Sequence, residues 1–350
     1  MNLYPFVSVV IPCRNEGEYI AQCIDSVIAN NYPRDKIEIF IIDGMSTDNS
    51  MTIVESYKQR YNFIKSLDNE KKITPCAFNL GVKSAVGEII IILGAHASYP
   101  NNYIKKCVTG LLNYGADNVG GVLITRPQTD SLLASVIAKS LSSKFGVGNS
   151  VFRTGVESVR EVDTVFGGCY KKEVFEKIGL FNEKLVSSQD VEFNKRLKKC
   201  GGKIILIPDI VAYYYTRTNL LSFIKNNFRN GKWAVLPFAY SEAMPVSLRH
   251  LVPMMFVSTL LVSYWVGLKI VSFKWLFWLI VISYLVVNIA VSIRNALKEK
   301  SLAYLFTMFS VFAMLHVGYG IGSLYGTVKM LTLPEFWKKM IKRKGELCGT

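Results

Sequence analysis

The sequence lacks the cysteine patterns of metal-binding and disulfide-stapled proteins. Its seven cysteines are scattered along 350 residues, and none belongs to a Cys-x-x-Cys pair or to a spacing that suits a metal. This usage is typical of reduced thiols packed inside a protein. Residues 1–6 also lack the basic start and the long apolar run of a secretory signal peptide. The polar part of the chain is therefore expected to stay in the cytoplasm.

Positive charge is abundant, but it does not form a nucleic-acid-binding stripe. The chain has 41 Lys and Arg against 26 Asp and Glu, a formal net charge of +15. Nucleic acid binding would require basic residues interleaved with aromatic ones on one face, and no such pattern is present. Pyrophosphate in a substrate would account for a few of these charges. Attraction to anionic lipid headgroups accounts more simply for the largest group, which comprises Arg249, Arg294, Lys298, Lys300, Lys338, Lys339, Lys342, Arg343 and Lys344.

Charge is almost absent from three consecutive segments, residues 251–271, 273–293 and 302–327. The first two contain one lysine each, and the third contains no Lys, Arg, Asp or Glu. Each segment reaches the roughly 20 apolar residues that a membrane-spanning helix needs. Fully buried core helices are the alternative, but three successive segments favour a multi-pass membrane domain. We assign this domain to residues 249–330 and a basic tail to 331–350.

The third apolar segment has two possible topologies. With the N-terminal part in the cytoplasm, three spans would place the basic tail outside, against the tendency of positive charge to stay inside. A re-entrant or surface-lying third segment would resolve this conflict, and its glycines permit one.

A βαβ unit is predicted near the N-terminus. Short β-branched runs within residues 7–16 and 39–48 stop abruptly in polar residues, as buried parallel strands do before a helix. Between them, one apolar helix face is formed by Ile20, Cys23, Ile24, Val27 and Ile28. Ligands of open α/β sheets bind outside the carboxyl ends of the strands. Residues 12–16 and 43–48 are therefore expected to share one crevice.

A third loop is expected at the same sheet edge. Thr74 and Pro75 resemble an N-cap followed by proline at the first helical position, which predicts a helix to about Ser84. Gly87 ends that helix, and residues 88–93 are expected to form a buried strand. This strand leads into Gly94-Ala95-His96, so three sequential loops converge.

Several spaced motifs then point to one known family. They are residues 9–16 (Val-Val-Ile-Pro-Cys-Arg-Asn-Glu), 43–48 (Asp-Gly-Met-Ser-Thr-Asp), 79–81, 167–169, 189–192 with Arg196 and Gly201, and 229–233 (Arg-Asn-Gly-Lys-Trp). Together they resemble glycosyltransferase family 2, inverting enzymes of the GT-A fold that use nucleotide sugars. The resemblance covers residues 6–240. It implies an α/β, Rossmann-like nucleotide-sugar-binding domain at 1–217, followed by C-terminal transmembrane helices.

The last apolar segment adds a finer resemblance. Residues 316–322 (His-Val-Gly-Tyr-Gly-Ile-Gly) are similar to membrane glycosyltransferases of the succinoglycan-synthesis type, which extend lipid-linked glycans. A glycine-rich helix that packs closely against a neighbour is the competing explanation.

The resemblance implies a donor site in the first loops. Asp43 would accept an N–H of the nucleotide base, while Glu16 and the backbone from Pro12 onward would line the base and ribose. Glu16 has a second reading as a carboxylate at a helix N-terminus, and Asp48 has one as an N-cap. The residues expected to contact the donor are Pro12, Arg14, Asn15, Glu16, Asp43, Gly44, Ser46, Asp48, Asn79, Gly94, Ala95, Arg229, Lys232 and Trp233.

The third loop departs from the family pattern. The family presents Asp-x-Asp there, whose carboxylates hold the ribose and a divalent metal on the diphosphate. This chain has Gly94-Ala95-His96 instead. His96 could ligate the metal through neutral imidazole or donate to the diphosphate when protonated. Because Mg²⁺ prefers oxygen ligands, a histidine favours Mn²⁺ or a looser metal dependence. A solvated loop histidine in an enzyme that has lost activity is the alternative.

Asp190 is the candidate catalytic base. An inverting transfer needs one carboxylate to take the proton of the acceptor hydroxyl as it attacks the anomeric carbon. Asp190 and Glu192 would lie about 200° apart on a helix, so only one should face the sugar. An N-cap is the other reading of Asp190. With an ionised lipid phosphate as acceptor, Asp190 would orient the acceptor and not deprotonate it.

The basic–aromatic motif has two readings of equal weight. Arg229, Lys232 and Trp233 could close over the diphosphate and acceptor. Alternatively, residues 219–240 could form an interfacial helix with its aromatic side chains inserted into the bilayer. An amphipathic interfacial segment is therefore assigned to residues 218–248.

These expectations describe a membrane-bound inverting glycosyltransferase (EC 2.4 class) of exopolysaccharide or cell-envelope glycan synthesis. It would transfer a sugar from a nucleotide-sugar donor to a lipid-linked or growing polysaccharide acceptor at the cytoplasmic membrane face. Envelope-polysaccharide assembly proteins are possible partners. A polyprenyl-phosphate sugar synthase and a non-catalytic scaffold derived from a glycosyltransferase are the alternatives. A channel or transporter has little support, because the three segments offer no charged pathway.

Overall fold

The computed structural model describes residues 4–216, 219–241 and 247–348, with side chains up to residue 341. The chain divides into two compact units. The first comprises Met1–Ile124 with Val151–Tyr215, and the second comprises Thr125–Ser150 with Thr216–Thr350. The predicted boundary at 217/218, residues 242–246 of the predicted interfacial segment and the last two residues of the tail lie outside the described residues.

The strands form one mixed sheet of nine. They are β1 (Val7–Cys13), β2 (Ile37–Asp43), β3 (Ile64–Asp68), β4 (Ile89–Ile92), β5 (Ala97–Ser98), β6 (Asn118–Pro127), β7 (Arg160–Glu161), β8 (Cys169–Lys171) and β9 (Ile204–Thr216). The order is β3-β2-β1-β4-β8-β6-β9-β5, with β7 paired to β9. β1, β2, β3 and β4 run parallel, whereas β4 and β6 pair with β8 in the antiparallel sense. This is the GT-A-like α/β fold that the sequence predicted.

Strand register places the polar loops side by side. β1 pairs with β2 from Val7 opposite Ile37 to Cys13 opposite Asp43. β1 also pairs with β4 on its other side, so the strand order reverses at β1. A crevice at the carboxyl ends of the strands is the usual consequence of such a reversal.

The helices of the first unit cover both faces of the sheet. They are α1 (Ile20–Ile28), α2 (Ser50–Lys58), α3 (Thr74–Ser84), α4 (Tyr103–Asn113), and, after two helices of the second unit, α7 (Val151–Thr154), α8 (Lys172–Ile178) and α9 (Gln189–Lys199). One apolar cluster joins α1 and α4 to the sheet, and a second joins α3, α8 and α9 to its other face. Strands buried on both faces need apolar residues at consecutive positions, as β1 and β2 have.

The predicted elements match the structure closely. α1 buries Ile20, Cys23, Ile24 and Val27, as its spacing predicted. α3 begins one residue earlier than expected, because Thr74 is already helical and Ile73 is the N-cap. Proline is compatible with this position, since the first helical turn leaves its N–H groups without partners.

The second unit consists mainly of helices. They are α5 (Leu132–Leu141), α6 (Lys144–Val147), α10 (Leu220–Val235), α11 (Pro237–Tyr240), α12 (Val252–Lys269), α13 (Lys274–Glu299), α14 (Leu302–Leu331) and α15 (Pro334–Cys348). α5 packs Val136 and Ile137 against Met308 and Phe312 of α14. Thr125–Ser150 therefore groups with the C-terminal helices, although the sequence analysis assigned it to the first domain.

Three helices are long and apolar enough to cross a membrane, judged by length and composition. They span Leu248–Lys269, Val271–Glu299 and Leu302–Leu331. α14 runs without interruption for 30 residues, about 45 Å of helix, which exceeds the roughly 30 Å of a bilayer core. α14 has no break at which a re-entrant segment would turn, and whether it crosses the bilayer or lies on its surface stays a prediction.

Glycines of α14 allow α10 to approach its backbone. A Cβ at Gly322 would lie 2.1 Å from the carbonyl oxygen of Phe228, and one at Gly326 would lie 2.5 Å from that of Lys232. On the opposite side, a Cβ at Gly231 would lie 1.9 Å from the carbonyl oxygen of Tyr319. Close helix packing therefore accounts for the glycine-rich sequence of α14.

A buried carboxylate ties three segments of the first unit together. Glu38 accepts hydrogen bonds from Ser8 Oγ at 2.6 Å, the backbone N–H of Val86 at 2.8 Å and Lys65 Nζ at 2.9 Å. Ser8 Oγ also accepts from the backbone N–H of Gly87 at 2.9 Å. Burial would raise the pKa of Glu38, but the bonds from Ser8, Val86 and Lys65 outweigh it and lower that pKa.

We predict that Glu38→Gln lowers the free energy of unfolding by about 1–3 kcal/mol, because Ser8, Val86 and Lys65 lose the buried, charged acceptor of their hydrogen bonds. Since the pKa of Glu38 is lowered by folding, its contribution is present at neutral pH and is lost as the pH falls below the ordinary range of glutamate. Thermal unfolding of the purified full chain at pH 7 measures the change. Glu55→Gln, which removes an exposed ion pair to Lys58, should cost less than about 1 kcal/mol. Equal effects of the two variants would contradict the buried network.

Candidate functional site

The loops after β1 and β2 are fastened to each other by short polar side chains. Asn15 donates its backbone N–H to Ser46 Oγ at 3.0 Å, and its Oδ1 accepts the backbone N–H of Thr47 at 2.8 Å. Glu16 donates its backbone N–H to Ser50 Oγ at 2.8 Å. Asn15 and Met45 adopt positive φ angles of 53° and 60°, so these loops turn sharply. The predicted crevice residues 12–16 and 43–48 are therefore brought together.

Asp43 lies at the floor of this crevice. It is 5% exposed, and its carboxylate accepts hydrogen bonds from the Ser46 backbone N–H and hydroxyl at 3.1 and 2.6 Å. The backbone carbonyl of Asp43 accepts the N–H of Asn69 at 2.7 Å. An ionised carboxylate has about four acceptor positions, so Asp43 retains capacity for another donor such as a base N–H.

Asp48 connects the first loop to the start of α2. Its carboxylate accepts hydrogen bonds from the hydroxyl and backbone N–H of Ser50 at 2.5 and 3.0 Å and from the N–H of Gly17 at 3.0 Å. The Ser50 hydroxyl is the main cause of the lowered pKa of Asp48. Asn49 is the N-cap residue of α2, so Asp48 supports the helix start from one position earlier.

Pro12, Gly44 and Arg14 are three more of the predicted donor contacts. Pro12 is the sixth residue of β1 and is partly buried. Gly44 donates its N–H to the carbonyl of Cys13 at 2.7 Å. Arg14 is exposed, and its Nη1 lies 3.4 Å from the Lys72 carbonyl. Pro12 and Gly44 thus lie at the paired carboxyl ends of β1 and β2, and Arg14 directly follows β1.

A hydrogen bond between Glu16 and His96 joins the first and third loops. His96 Nδ1 lies 2.5 Å from Glu16 Oε2, and both side chains are largely buried. A neutral imidazole that donates its Nδ1–H to this carboxylate presents a lone pair at Nε2. The sequence predicts both residues in the site, but no sequence pattern predicts this bond.

Aromatic rings hold the imidazole on two sides. Tyr19 packs on His96 with ring centroids 3.5 Å apart, and Tyr214 lies at 5.8 Å. Nε2 of His96 is buried and has no hydrogen-bond partner among the described residues. Neither tyrosine was predicted, although both adjoin segments that form the site: Tyr19 follows the first loop, and Tyr214 pairs with Ala97 just after the third.

Tyr99 fixes the backbone of the third loop. Its hydroxyl accepts the N–H of Gly94 at 2.8 Å and lies 3.1 Å from the carbonyl of the same residue. Gly94 does not have a positive φ, and a Cβ there would meet only Phe166 at 3.7 Å and Tyr99 at 3.9 Å, ordinary contact distances. The missing carboxylate at position 94 is therefore not imposed by a lack of space. Ala95, the next residue, is buried.

Among the described residues, the side chains near the third loop offer one imidazole as a metal ligand and no set of three protein ligands. Within residues 4–216, 219–241 and 247–341, no group of three His, Cys, Asp or Glu side chains is arranged to hold a metal. His96 nevertheless has the arrangement common to metal-ligating histidines, in which one ring nitrogen donates to a carboxylate and the other is free. A metal on a nucleotide diphosphate would fit as a single-ligand site, with its other positions filled by phosphate and water.

Asp190 and Glu192 have separate environments, as their helical spacing predicted. Glu192 is 2% exposed and accepts hydrogen bonds from Arg196 Nε and Nη2 at 2.9 and 3.1 Å. Asp190 is the second residue of α9, whose N-cap is Ser188, so the N-cap reading of Asp190 is not supported. Burial raises the pKa of Asp190, opposed by hydrogen bonds from the backbone N–H groups of Val191 and Asp190 itself. A raised pKa makes this carboxylate a stronger proton acceptor.

Asn79, a predicted donor contact, uses its side-chain amide to hold the chain at Phe181 and Glu183. Its Nδ2 donates to the Phe181 carbonyl at 2.9 Å and to Glu183 Oε1 at 3.1 Å, and its Oδ1 accepts the Phe181 N–H at 2.9 Å. Lys71 also binds Glu183, at 2.6 Å. The bonds from Lys71 and then Asn79 lower the pKa of Glu183 to about 2. Asn79 is buried, and its amide groups are used to anchor residues 181–183.

The basic–aromatic motif lies on α10 of the second unit. Arg229 is exposed and donates to Asn226 Oδ1 at 2.7 Å. Lys232 Nζ lies 5.7 Å from the ring centre of Tyr325, and burial lowers its pKa. Trp233 is 9% exposed. Trp233 is thus largely buried within the unit, and its contact with a sugar or with the bilayer stays a prediction.

Residues 8–165 match the family model described as Glycosyl transferase family 2. The chain is 33% identical over 233 residues to the dolichyl N-acetyl-alpha-D-glucosaminyl phosphate 3-beta-D-2,3-diacetamido-2,3-dideoxy-beta-D-glucuronosyltransferase of Methanococcus voltae, covering 65% of this chain and 72% of that protein. It is 29% identical over 248 residues to the succinoglycan biosynthesis protein ExoA of Rhizobium meliloti (strain 1021). This match covers 70% of this chain and 74% of that protein.

A solved structure shares the fold. The mannosyltransferase PcManGT from Pyrobaculum calidifontis, in complex with GDP-Man and Mn²⁺, matches with a TM-score of 0.57 over 92% of this chain and 87% of its own. The sequences are 19% identical, so the match shows a common fold and no more.

We predict that Asn79→Ala destabilises the protein without weakening nucleotide binding. The substitution leaves the Phe181 N–H without its acceptor, at a cost of about 1–3 kcal/mol. Thermal unfolding and a nucleoside diphosphate titration of the same preparation measure the two quantities. Asn101→Ala, at an exposed position, is the control for stability. A large loss of nucleotide affinity with unchanged stability would instead make Asn79 a donor contact.

Proposed function

This chain belongs to glycosyltransferase family 2, and we propose that it transfers a sugar from a nucleotide-sugar donor to a lipid-linked glycan acceptor at the cytoplasmic membrane face. The observation that carries the proposal is the convergence of the loops after β1, β2 and β4, held together by the Glu16–His96 hydrogen bond. The relatives named above include one that acts on a dolichyl-linked sugar phosphate and one of succinoglycan biosynthesis. Three candidate spans give this chain access to lipid-borne acceptors.

The donor is proposed to lie along the crevice with its base at Asp43. The free acceptor capacity of that carboxylate suits a base N–H, and Arg14, directly after β1, suits the anionic part of the donor. The hydrogen bonds between the loops hold these side chains in place before the donor binds, which reduces the entropy lost on binding.

A divalent metal is proposed to be held by His96 Nε2 and by the donor diphosphate. When bound, such a metal neutralises charge on the departing diphosphate. Glu16 holds the imidazole in the tautomer that leaves Nε2 free. An imidazole ligand favours Mn²⁺ over Mg²⁺, which prefers oxygen ligands.

Asp190 is proposed to take the proton from the acceptor hydroxyl. The hydroxyl oxygen then forms a bond to the anomeric carbon as the bond from that carbon to the diphosphate breaks, with the nucleotide leaving from the opposite face. Inversion follows from this single displacement. The raised pKa of Asp190 supports the assignment, because a base works best when its pKa is close to the operating pH.

Transfer of labelled sugar tests the proposed function. The full chain is reconstituted with a lipid extract and supplied in turn with labelled UDP-, GDP-, CDP- and dTDP-sugars. Label in the organic phase with one donor supports the proposal, and no label with any donor contradicts it. Mild acid cleaves the sugar–phosphate bond of either product, so release of a labelled oligosaccharide identifies a glycosidic extension of a lipid-linked glycan, and release of a labelled monosaccharide identifies a polyprenyl phosphate sugar.

We predict that Asp190→Asn lowers kcat about 10²- to 10⁴-fold, the usual contribution of a general base, while leaving the donor Kd unchanged. In the wild type, kcat should fall on the acid side with an apparent pKa above the ordinary range of aspartate, because Asp190 must be deprotonated to act. Glu176→Gln, an exposed carboxylate on α8, should retain full activity. An Asp190→Asn enzyme with normal kcat would contradict the assignment of Asp190 as the catalytic base.

We predict that Gly94→Asp folds normally and increases the dependence on divalent metal. A Cβ fits at position 94, and a carboxylate beside His96 would add a second ligand. Thermal stabilisation by a nucleoside diphosphate should increase more with Mn²⁺ in this variant than in the wild type. Gly94→Ala, which adds only the Cβ, is the control. The His96→Ala variant should lose the Mn²⁺ effect, and an unchanged response would remove the metal role from His96.

A further inference from the structure

Arg153, on α7 in the first unit, has a buried guanidinium nitrogen with no partner. Its Nη1 is shielded from solvent, and no residue in the described part of the chain accepts a hydrogen bond from it. Its surroundings are aromatic: the guanidinium carbon lies 5.5 Å from the ring centre of Phe152 and 5.7 Å from that of Tyr214. Among the described residues, no carboxylate forms an ion pair with this cation.

A cation in this position is unfavourable for the ligand-free protein. Burial lowers the pKa of Arg153, and only Tyr214 opposes that effect. Arginine nonetheless stays charged in proteins, and a shielded N–H of this cation without a hydrogen-bond acceptor costs free energy. A ligand that brings an anion to this position would supply the missing partner.

Tyr214 connects Arg153 to the site already described. The ring of Tyr214 contacts both the guanidinium of Arg153 and the imidazole of His96. β9 carries Tyr214 and is paired with β5 directly after the third loop. Val151 and Phe152 pack on the cores of the first unit, so α7 holds the guanidinium at this place.

We propose that Arg153 binds a phosphate oxyanion next to the His96 site, an inference that rests on the proposed glycosyl transfer. Guanidinium matches phosphate with two parallel N–H···O bonds. The reaction offers two sources of this chemistry, the diphosphate of the nucleotide-sugar donor and the phosphate of the lipid acceptor. Arg153 is then a substrate-binding residue that no sequence motif singled out.

Thermal stabilisation of the full chain by three kinds of probe tests the proposal. The probes are inorganic pyrophosphate, nucleoside diphosphates (UDP, GDP, CDP and dTDP) and farnesyl phosphate as a short lipid phosphate. Arg153→Met removes the charge, and Arg153→Lys keeps it without the planar fork. Arg160→Met is the matched control, because Arg160 is an exposed arginine of the same stretch of chain on β7.

We expect Arg153→Met to bind at least one probe about 10- to 150-fold more weakly, the range for a lost charged hydrogen bond, and Arg153→Lys to lose less. Loss with pyrophosphate and nucleotides identifies the donor as the source, and loss with farnesyl phosphate alone identifies the acceptor. The Tm of ligand-free Arg153→Met should equal or exceed that of the wild type, since an unpaired buried charge is removed. A lowered Tm with unchanged binding would show a structural role and overturn the proposal.

The outcomes separate this inference from the proposed function. A wild type that responds to pyrophosphate through Arg153, but to no nucleotide, would support the oxyanion site and contradict the glycosyl transfer. A wild type that binds nucleotides equally well in Arg153→Met and Arg160→Met, with farnesyl phosphate binding also unchanged, would keep the proposed function and overturn the inference. No response of the wild type to any probe would overturn both.

Discussion

The hydrogen bond from His96 to Glu16 links two loops that are 80 residues apart in the chain. Glu16 follows β1, where the strand order of the sheet reverses, and His96 follows β4, the parallel neighbour of β1. A largely buried carboxylate needs a donor, and His96 provides one. The same bond fixes the tautomer of the imidazole, so its free Nε2 is determined by the partner on the other loop. The chemistry proposed for the third loop depends on this pairing.

The rest of the first unit keeps that pairing in place. Tyr99 holds the backbone of Gly94, and serine and asparagine side chains fasten the two neighbouring loops to each other. Sites held by packing and hydrogen bonds in this way need little reorganisation when a substrate binds. Among the described residues, Nη1 of Arg153 lies near this ordered site and is buried without a hydrogen-bond partner, as is Nε2 of His96. The loops are held by hydrogen bonds, whereas Nη1 of the Arg153 cation lacks an acceptor. This difference suggests an anionic substrate.

Much of this architecture could be predicted because local patterns carry it. Continuous apolar runs identified β1, β2 and β4, helical spacing identified α1, and three long apolar segments with almost no charge identified α12 to α14. β3 carries no such run, because this edge strand is only partly buried. The Glu16–His96 bond, the role of Asn79 and the packing of α5 on α14 depend on residues distant in sequence. No periodicity records such contacts, and they follow only from the folded chain.

The most direct test of this account is a crystal structure of the full chain with the nucleoside diphosphate that stabilises it most. The account predicts the base beside Asp43, the diphosphate beside His96 Nε2, and the bond from Nδ1 to Glu16 intact. A nucleotide bound away from these loops would contradict it. So would a Glu16 side chain turned away from His96 to contact the base or ribose, because the imidazole would then lose the partner that fixes its tautomer.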